Sequence, residues 1–479
     1  MLLSVDPSNL IWLIPAQGDS LPRRRSHVRA LPDFGIGPVP PPLRRLRTLD
    51  HLVLWGSLNV GLLALIAGSF VVPALGLVAA VGALALGSAL GAIVLGAIAA
   101  LGARDHVPGM VLMRRPLGMR GSILPSLLNA IQLVGFSVFE FVVIGHALSA
   151  AFGGSVDLWI AVATVATTGL VLGGPLTVVR RVLRLLAVPA IVVATVWLVV
   201  WAVDRIDWDQ AAHGHGGFRF WQAVDLALAG VLSWAPLVAD YARFGQSRLG
   251  AFSGTAIGTA VPATFFYSLG ALLVLANGAD PAIGLAPSVG VAVLATLAIA
   301  ELDKPFADLY STVVSLQNAR PRWRAPLLAV ALGALTGTIA LVISLTRFQT
   351  FLLLIGSLFI PLAGVLLGHA VRMPGGPLDD LYRRDGRWGE VNAGGFFAWL
   401  LGAALYQWIA PSTFAHWDHL LALLSDQTRV PLAPAPLAII GASLPSFAVA
   451  FAAAWLLAAW PRPWRASTAA GIASRAMLG

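Results

Sequence analysis

The chain has 479 residues, of which 58% are hydrophobic and 11% charged, values that exclude an ordinary soluble domain and a disordered segment and indicate a polytopic membrane protein. Its formal net charge of +9 comes from arginines in short clusters between apolar runs, which is loop charge facing anionic lipid rather than a nucleic-acid surface. There is no cysteine, so disulfides, thiol chemistry and cysteine-based metal sites are excluded.

The N-terminus carries an apolar patch, LIWLIP, ahead of LPRRRSHVR, the reverse of the order in a cleavable signal peptide. Residues 1–48 read as a mostly irregular cytoplasmic arm. Apolar runs long enough to span a bilayer follow at about 51–79, 81–102, 122–151, 158–179, 183–203, 221–243, 250–278, 286–319, 326–345, 348–371, 393–411 and 435–460. The expected fold is therefore all-α and polytopic, with about twelve transmembrane helices. Arginines alternate between the loops. One set holds Arg104, Arg114, Arg115 and Arg120, then Arg180, Arg181 and Arg184, then Arg243 and Arg248, then Arg320, Arg322 and Arg324, then Arg372, Arg383, Arg384 and Arg387. Arg23 to Arg25 and Arg462 with Arg465 place both termini in that set, whereas the opposite loops hold only Arg205, Arg219, Arg347 and Arg429. The positive-inside rule then predicts a plasma (inner) membrane protein with both termini cytoplasmic.

Two spans carry helix-breaking residues at depth. The first has Gly56, Asn59, Gly61, Gly68 and Pro73; the sixth has Gly230, Ser233, Trp234 and Pro236. Backbone leaves a helix inside a membrane only where it is buried or lines a cavity, and paired interruptions in corresponding spans point to a transporter site. Packing glycines are the alternative. The offset from Asn59 to Ser233 is 174 residues and that from Glu140 to Asp308 is 168, so spans one to five and six to ten read as two inverted repeats. The expected divisions are the 1–48 arm, repeats at 49–205 and 206–372, two appended helices with their preceding loop at 373–460, and a cytoplasmic tail at 461–479.

On span three, Asn129, Gln132, Phe136 and Glu140 recur at three or four residues and form one polar stripe, which lipid cannot satisfy. Span eight carries ELDKPFAD, with Glu301, Asp303, the chain's only lysine Lys304, and Asp308. A charge at membrane depth costs at least about 3 kcal/mol, so such groups face partners or a wet cavity. At helical spacing Glu301, Lys304 and Asp308 share a stripe, Asp303 lies to one side, and Pro305 frees the carbonyl of Glu301. The helix continues through LYSTVVSLQNARPRWR, which puts the cluster mid-span; the alternative is a helix end with a Lys304–Asp308 ion pair in headgroup water.

The stretches VPGMVLMRRPLGMRGSILPSLLNAIQLVGFSVFE (107–140), SWAPLVADYARF (233–244), FADLYSTVVSLQN (306–318) and FLLLIGSLFIPLAGVLL (351–367) resemble the nucleobase:cation symporter-1 family, permeases for purines, cytosine, allantoin and hydantoins. The phrase ending in Phe136 and Glu140, with the acidic cluster before FADLYS, looks most like its hydroxymethylpyrimidine permeases, importers of a thiamine precursor. The resemblance implies the leucine-transporter (LeuT) fold, a 5+5 inverted repeat plus two extra helices, and alternating access with substrate held among spans one, three, six and eight. Relatives usually carry tryptophan at the place of Phe136, a hydroxyl residue at Leu302 where helix eight holds sodium, and an acid or neutral group at Lys304.

The expected substrate contacts are Asn59, Gln132, Phe136, Glu140, Ser233, Trp234 and Asp308. Phe136 and Trp234 would stack on a flat heteroaromatic ring, and Glu140 would accept two hydrogens from a protonated aminopyrimidine edge. Asp308 would do the same or hold Lys304. Bland alternatives are core packing for Phe136 and a bond from Glu140 to His146 or an arginine. Gly61, Asp303 and Lys304 are the cation-coupling candidates: either sodium binds at the first break with Asp303, or the Lys304 ammonium takes the cation's place and coupling is to protons or absent. No other cofactor is expected; the partners are the small heteroaromatic molecule and the bilayer, not nucleic acid.

Asp240 and Arg243 (DYARF) read as a loop-fixing ion pair, and His213 with His215 as an external glycine loop short of metal ligands. Competing functions are a cytosine, purine or allantoin permease, an intramembrane enzyme such as a prenyltransferase, for which only Asp379 and Asp380 approach a magnesium motif, and a channel. No phosphate-binding glycine loop supports nucleotide-driven pumping.

Overall fold

The structure, a computed structural model, describes residues 35–173, 188–277, 290–411, 417–429 and 440–458, and every regular element there is helical. Arg23 to Arg25, Arg180, Arg181, Arg184, Arg462 and Arg465, the tail at 461–479 and most of the N-terminal arm lie outside the described residues.

The apolar runs fold into helices close to their expected limits. Span one is α1 (Thr48–Leu58) and α2 (Leu62–Ser69), which meet at a 64° bend. Span two is α3 (Leu77–Asp105), followed by two short helices, α4 (Gly109–Leu112) and α5 (Arg114–Leu117). Span three is α6 (Ile123–Phe152), span four α7 (Val156–Gly173) and span five α8 (Val188–Val203). After the short α9 (Trp208–Ala212), span six divides into α10 (Phe220–Leu232) and α11 (Val238–Ala242). Span seven is α12 (Arg248–Asn277) and span eight α13 (Val291–Glu301) with α14 (Asp303–Ala319). α15 (Ala325–Ala340), α16 (Phe348–Arg372), α17 (Ala393–Ile409) and α19 (Ser443–Ala458) are spans nine to twelve. Among the described residues four helices are long and apolar enough to cross alone, five if the bent first span counts as one; the rest are shorter apolar helices. An additional helix, α18 (Trp417–Thr428), lies between the last two spans, where hydropathy gives no run.

The spans assort into two groups. Spans one, two, six and seven pack together, α3 against α10 and α12, and α1 and α2 along α12. Spans three, four, eight and nine form the other, α6 against α13 and α14, and α15 on α7. Without a hydrophobic drive in lipid, close helix approach relies on small residues. A Cβ on Gly87 would stand 2.4 Å from the carbonyl of Val224, and one on Gly91 2.8 Å from the Val231 side chain, so α3 and α10 meet backbone to backbone. Gly68 and Gly230 do the same work against Tyr267 of α12. For these two glycines the packing reading is the right one, and the breaks lie elsewhere, at Asn59–Gly61 and Ser233–Leu237.

The arginine-rich end is strapped shut by backbone contacts. Leu46 bridges Gly245 in parallel, the amide of Leu46 donating to the Phe244 carbonyl at 2.9 Å. Asp240 and Arg243 both fix this end, but not by pairing with one another. The Asp240 carboxylate accepts from the amide of Gly109 at 2.9 Å, while Arg243 donates to the carbonyls of Asp240 and Gly35 and to the Tyr310 hydroxyl. The expected ion pair gives way because the buried carboxylate finds a backbone donor at the start of α4. Arg114 bonds Asn318 at 3.0 Å, and Asn318 in turn donates to Ser122 and Ser126, so the 107–140 and 306–318 stretches are locked together. Tyr382, on the adjoining loop, lies under the Arg114 guanidinium; burial pushes its phenol up to about 12.

Candidate substrate site between the broken spans

Span one breaks because Asn59 ends α1 with its side-chain amide donating to the Trp55 carbonyl at 2.8 Å, and the extended Gly61 starts α2. The new N-terminus needs acceptors, and a side chain from span eight supplies them. The Glu301 carboxylate accepts from the amides of Leu62 at 2.8 Å and Leu63 at 3.3 Å. Lys304 then lies 3.3 Å from the same carboxylate and 3.1 Å from Asp303. Only Gly61 permits this approach, since a Cβ there would stand 2.0 Å from the Glu301 oxygen and 2.7 Å from the Lys304 ammonium. Pro305 cannot donate to the carbonyl of Glu301, and the helix is interrupted at Leu302, between the two side chains that reach the break.

The ion pair differs from the one offered as the bland alternative. Lys304 pairs with Glu301 and its neighbour Asp303, not with Asp308. Its long stem bridges the angular offset that separates positions 303 and 304 on a helix. The cluster is mid-span, 0% exposed at Glu301 and 4% at Lys304.

Span six is held by span three. Gln132 donates to the Ser233 carbonyl at 2.7 Å and to Asn129 at 3.0 Å, and Asn129 donates to Ser315 at 2.8 Å. The Ser233 hydroxyl turns back on Gly230 at 2.7 Å. Two polar residues of the stripe are therefore bonded inside the bundle. Phe136 meets Phe351 and Phe348 edge-on, with ring centres 5.1 and 6.4 Å apart, and remains half-buried. Trp234, half-buried as well, has Trp55 edge-on at 5.9 Å.

What remains is a set of buried groups with no protein partner. Glu140 and Asp308 are 2% and 1% exposed, and Glu140 Oε2 and Asp308 Oδ2 have no hydrogen-bond donor. Among the described residues Glu140 makes no bond to His146 or an arginine. Gln132 Oε1 and the Trp55 indole N–H are likewise unpartnered. The free capacity beside the two breaks consists mainly of acceptors. Among the described residues no group of three or more His, Asp or Glu is arranged for a metal ion; His213 bonds the Asp209 carbonyl and the His215 amide bonds that of Pro73.

Two spans broken at mid-depth within a twelve-span helical bundle define a membrane transporter of the leucine-transporter fold. The structure superposes on the nucleobase-cation-symport-1 family transporter Mhp1 in a closed conformation with bromovinylhydantoin bound, with a TM-score of 0.69, 18% identity and coverage of 89% of this chain and 94% of that one. It also resembles a manganese transporter from Eremococcus coleocola, with a TM-score of 0.53, 14% identity and coverage of 89% and 99%. Residues 38–427 match the family of permeases for cytosine/purines, uracil, thiamine and allantoin, and the chain belongs to that family, which is one of transporters rather than enzymes. An allantoin permease from Bacillus subtilis (strain 168) is 28% identical over 240 residues, 43% of this chain; the match spans about half (49%) of that relative's length.

Of the residues expected at the site, the structure joins Gln132 to Ser233 and Lys304 to Asp303 beside Gly61, and places Glu140 and Asp308 on the packed helices α6 and α14. In the sequence Glu301 is only one member of the stripe. Its role as the cap of α2 has no local signature, because Leu62 lies 239 residues away.

Proposed function

We propose that the protein is a secondary permease importing a pyrimidine-type nucleobase or the thiamine precursor hydroxymethylpyrimidine by alternating access. The observation that carries this reading is the pair of buried, unpartnered acceptors at Glu140 and Asp308. An aminopyrimidine presents an exocyclic amine beside a ring nitrogen, and once protonated there it offers two adjacent hydrogens to a carboxylate. Phe136 and Trp234 supply the stacking faces for the ring, Gln132 the adjacent acceptor, and Asn59 and Ser233 the breaks that frame the pocket. Buried carboxylates left without donors are costly, so a ligand that carries donors and positive charge gains from filling them.

Residues 49–205 and 206–372 act as the inverted repeats that rock about this site, with both termini on the cytoplasmic side of the inner membrane. Uptake is coupled to a cation, with Gly61, Asp303 and Lys304 as the place that either holds Na+ or is filled by the Lys304 ammonium, which leaves H+ as the coupling ion. The likeness to an allantoin permease favours a second reading, a neutral non-aromatic ureide as substrate. Allantoin has donors but no aromatic ring, so stacking separates the two.

Counterflow of labelled hydroxymethylpyrimidine in proteoliposomes, chased by cytosine, uracil, hypoxanthine or allantoin, tests the proposal. Exchange driven best by an aminopyrimidine supports it. Exchange by allantoin alone gives the second reading, and no exchange with any of them refutes a permease of this substrate class.

A further inference from the structure

In transporters with discontinuous helices, the positive N-terminus of a half-helix faces an anionic group of the substrate, while unwound backbone beside it holds a sodium ion. At the first break of this chain both places are filled by the protein. The carboxylate lies on the first two amides of α2, and one of its oxygens, Oε2, is both the acceptor for Leu62 at 2.8 Å and the neighbour of the Lys304 ammonium at 3.3 Å. Asp303 completes the ammonium's surroundings at 3.1 Å. We propose that Glu301 and Lys304 form a built-in carboxylate–ammonium ligand, which occupies the anion place and the cation place of the broken span, so that no sodium ion binds there and no anionic group of a substrate docks on α2.

Three observations support this beyond the distances. The chain has a single lysine, and it is here, with its ammonium 2.7 Å from where a Cβ on Gly61 would stand. Glu301 is fully buried with both oxygens engaged, whereas Glu140 and Asp308 each keep an oxygen unpartnered. Finally, the Asp303 side chain is 43% exposed, so the protein does not wholly enclose the cluster. The inference rests on the transporter reading but not on the pyrimidine one. It leaves a proton, exchanged elsewhere in the site, as the cation available for coupling.

The test uses purified full-length protein without substrate, which keeps its outcome separate from that of the counterflow experiment. Thermal unfolding is followed in sodium chloride and in choline chloride at equal ionic strength, for the wild type, Lys304→Ala and the double variant Lys304→Ala/Glu301→Gln. The wild type is expected to unfold at the same temperature in both salts. Lys304→Ala gains a sodium-specific rise of several degrees, because Glu301 and Asp303 then face a vacant cation place, and the double variant loses that rise. A sodium-specific rise in the wild type, or a folded Lys304→Ala protein with no sodium response, would overturn the proposal. Should Lys304→Ala fail to fold, the wild-type comparison still decides against the proposal if sodium stabilises it, and Lys304→Met provides a variant that retains the stem's packing.

Discussion

At the first break the α2 amides are held by a carboxylate from span eight, itself balanced by an ammonium; at the second the Ser233 carbonyl is held by a neutral amide from span three. Each broken span thus leans on the other group of helices, yet one contact is ionic and the other is not. A second contrast lies within span eight, where Glu301 is fully engaged and Asp308, two turns on, keeps an oxygen free. Similar cost of burial therefore has two resolutions here. One acid is satisfied by the protein and serves the architecture; the other keeps an acceptor unpartnered.

The largest effect should follow from Glu301→Gln. It removes one of the two partners of a buried ammonium and weakens the cap on α2, and breaking a buried pair costs about 3–5 kcal/mol. Chemical denaturation of the purified protein would measure it, and adding Lys304→Met should recover much of the loss, because the two changes are not additive. Gly61→Ala should come next, at about 1–3 kcal/mol, since the methyl group would meet a carboxylate that is held in place. If Gly61→Ala proves neutral in the same assay, the close approach of spans one and eight is wrong. Gln132→Leu removes the donor to the Ser233 carbonyl and should cost about 1–3 kcal/mol, with no change in sodium response. Glu140→Gln should cost least and can even stabilise, because no donor from the protein is lost at Oε2; a loss as large as that of Glu301→Gln would erase the distinction between the two acids.

Much of this architecture was legible in the residues. Apolar runs and alternating arginine clusters mark the spans, because bilayer thickness and leaflet charge act on every helix alike. The breaks at Asn59–Gly61 and Ser233–Pro236 were visible because their residues disfavour helix locally. Partners across the fold were not. The Asp240 carboxylate finds Gly109, 131 residues away, rather than the nearby Arg243. Lys304 takes Asp303 because a four-carbon stem reaches groups that a helical wheel separates. The helix α18, WDHLLALLSDQT, escaped because His, Asp, Ser and Gln dilute its leucines below any span-length signal.

Equilibrium binding of labelled hydroxymethylpyrimidine to purified wild type and Glu140→Gln tests the division of labour most directly. Saturable binding to the wild type, lost in a Glu140→Gln protein that unfolds at the wild-type temperature or above, is the predicted result. Wild-type affinity in Glu140→Gln would contradict it and remove Glu140 from the site.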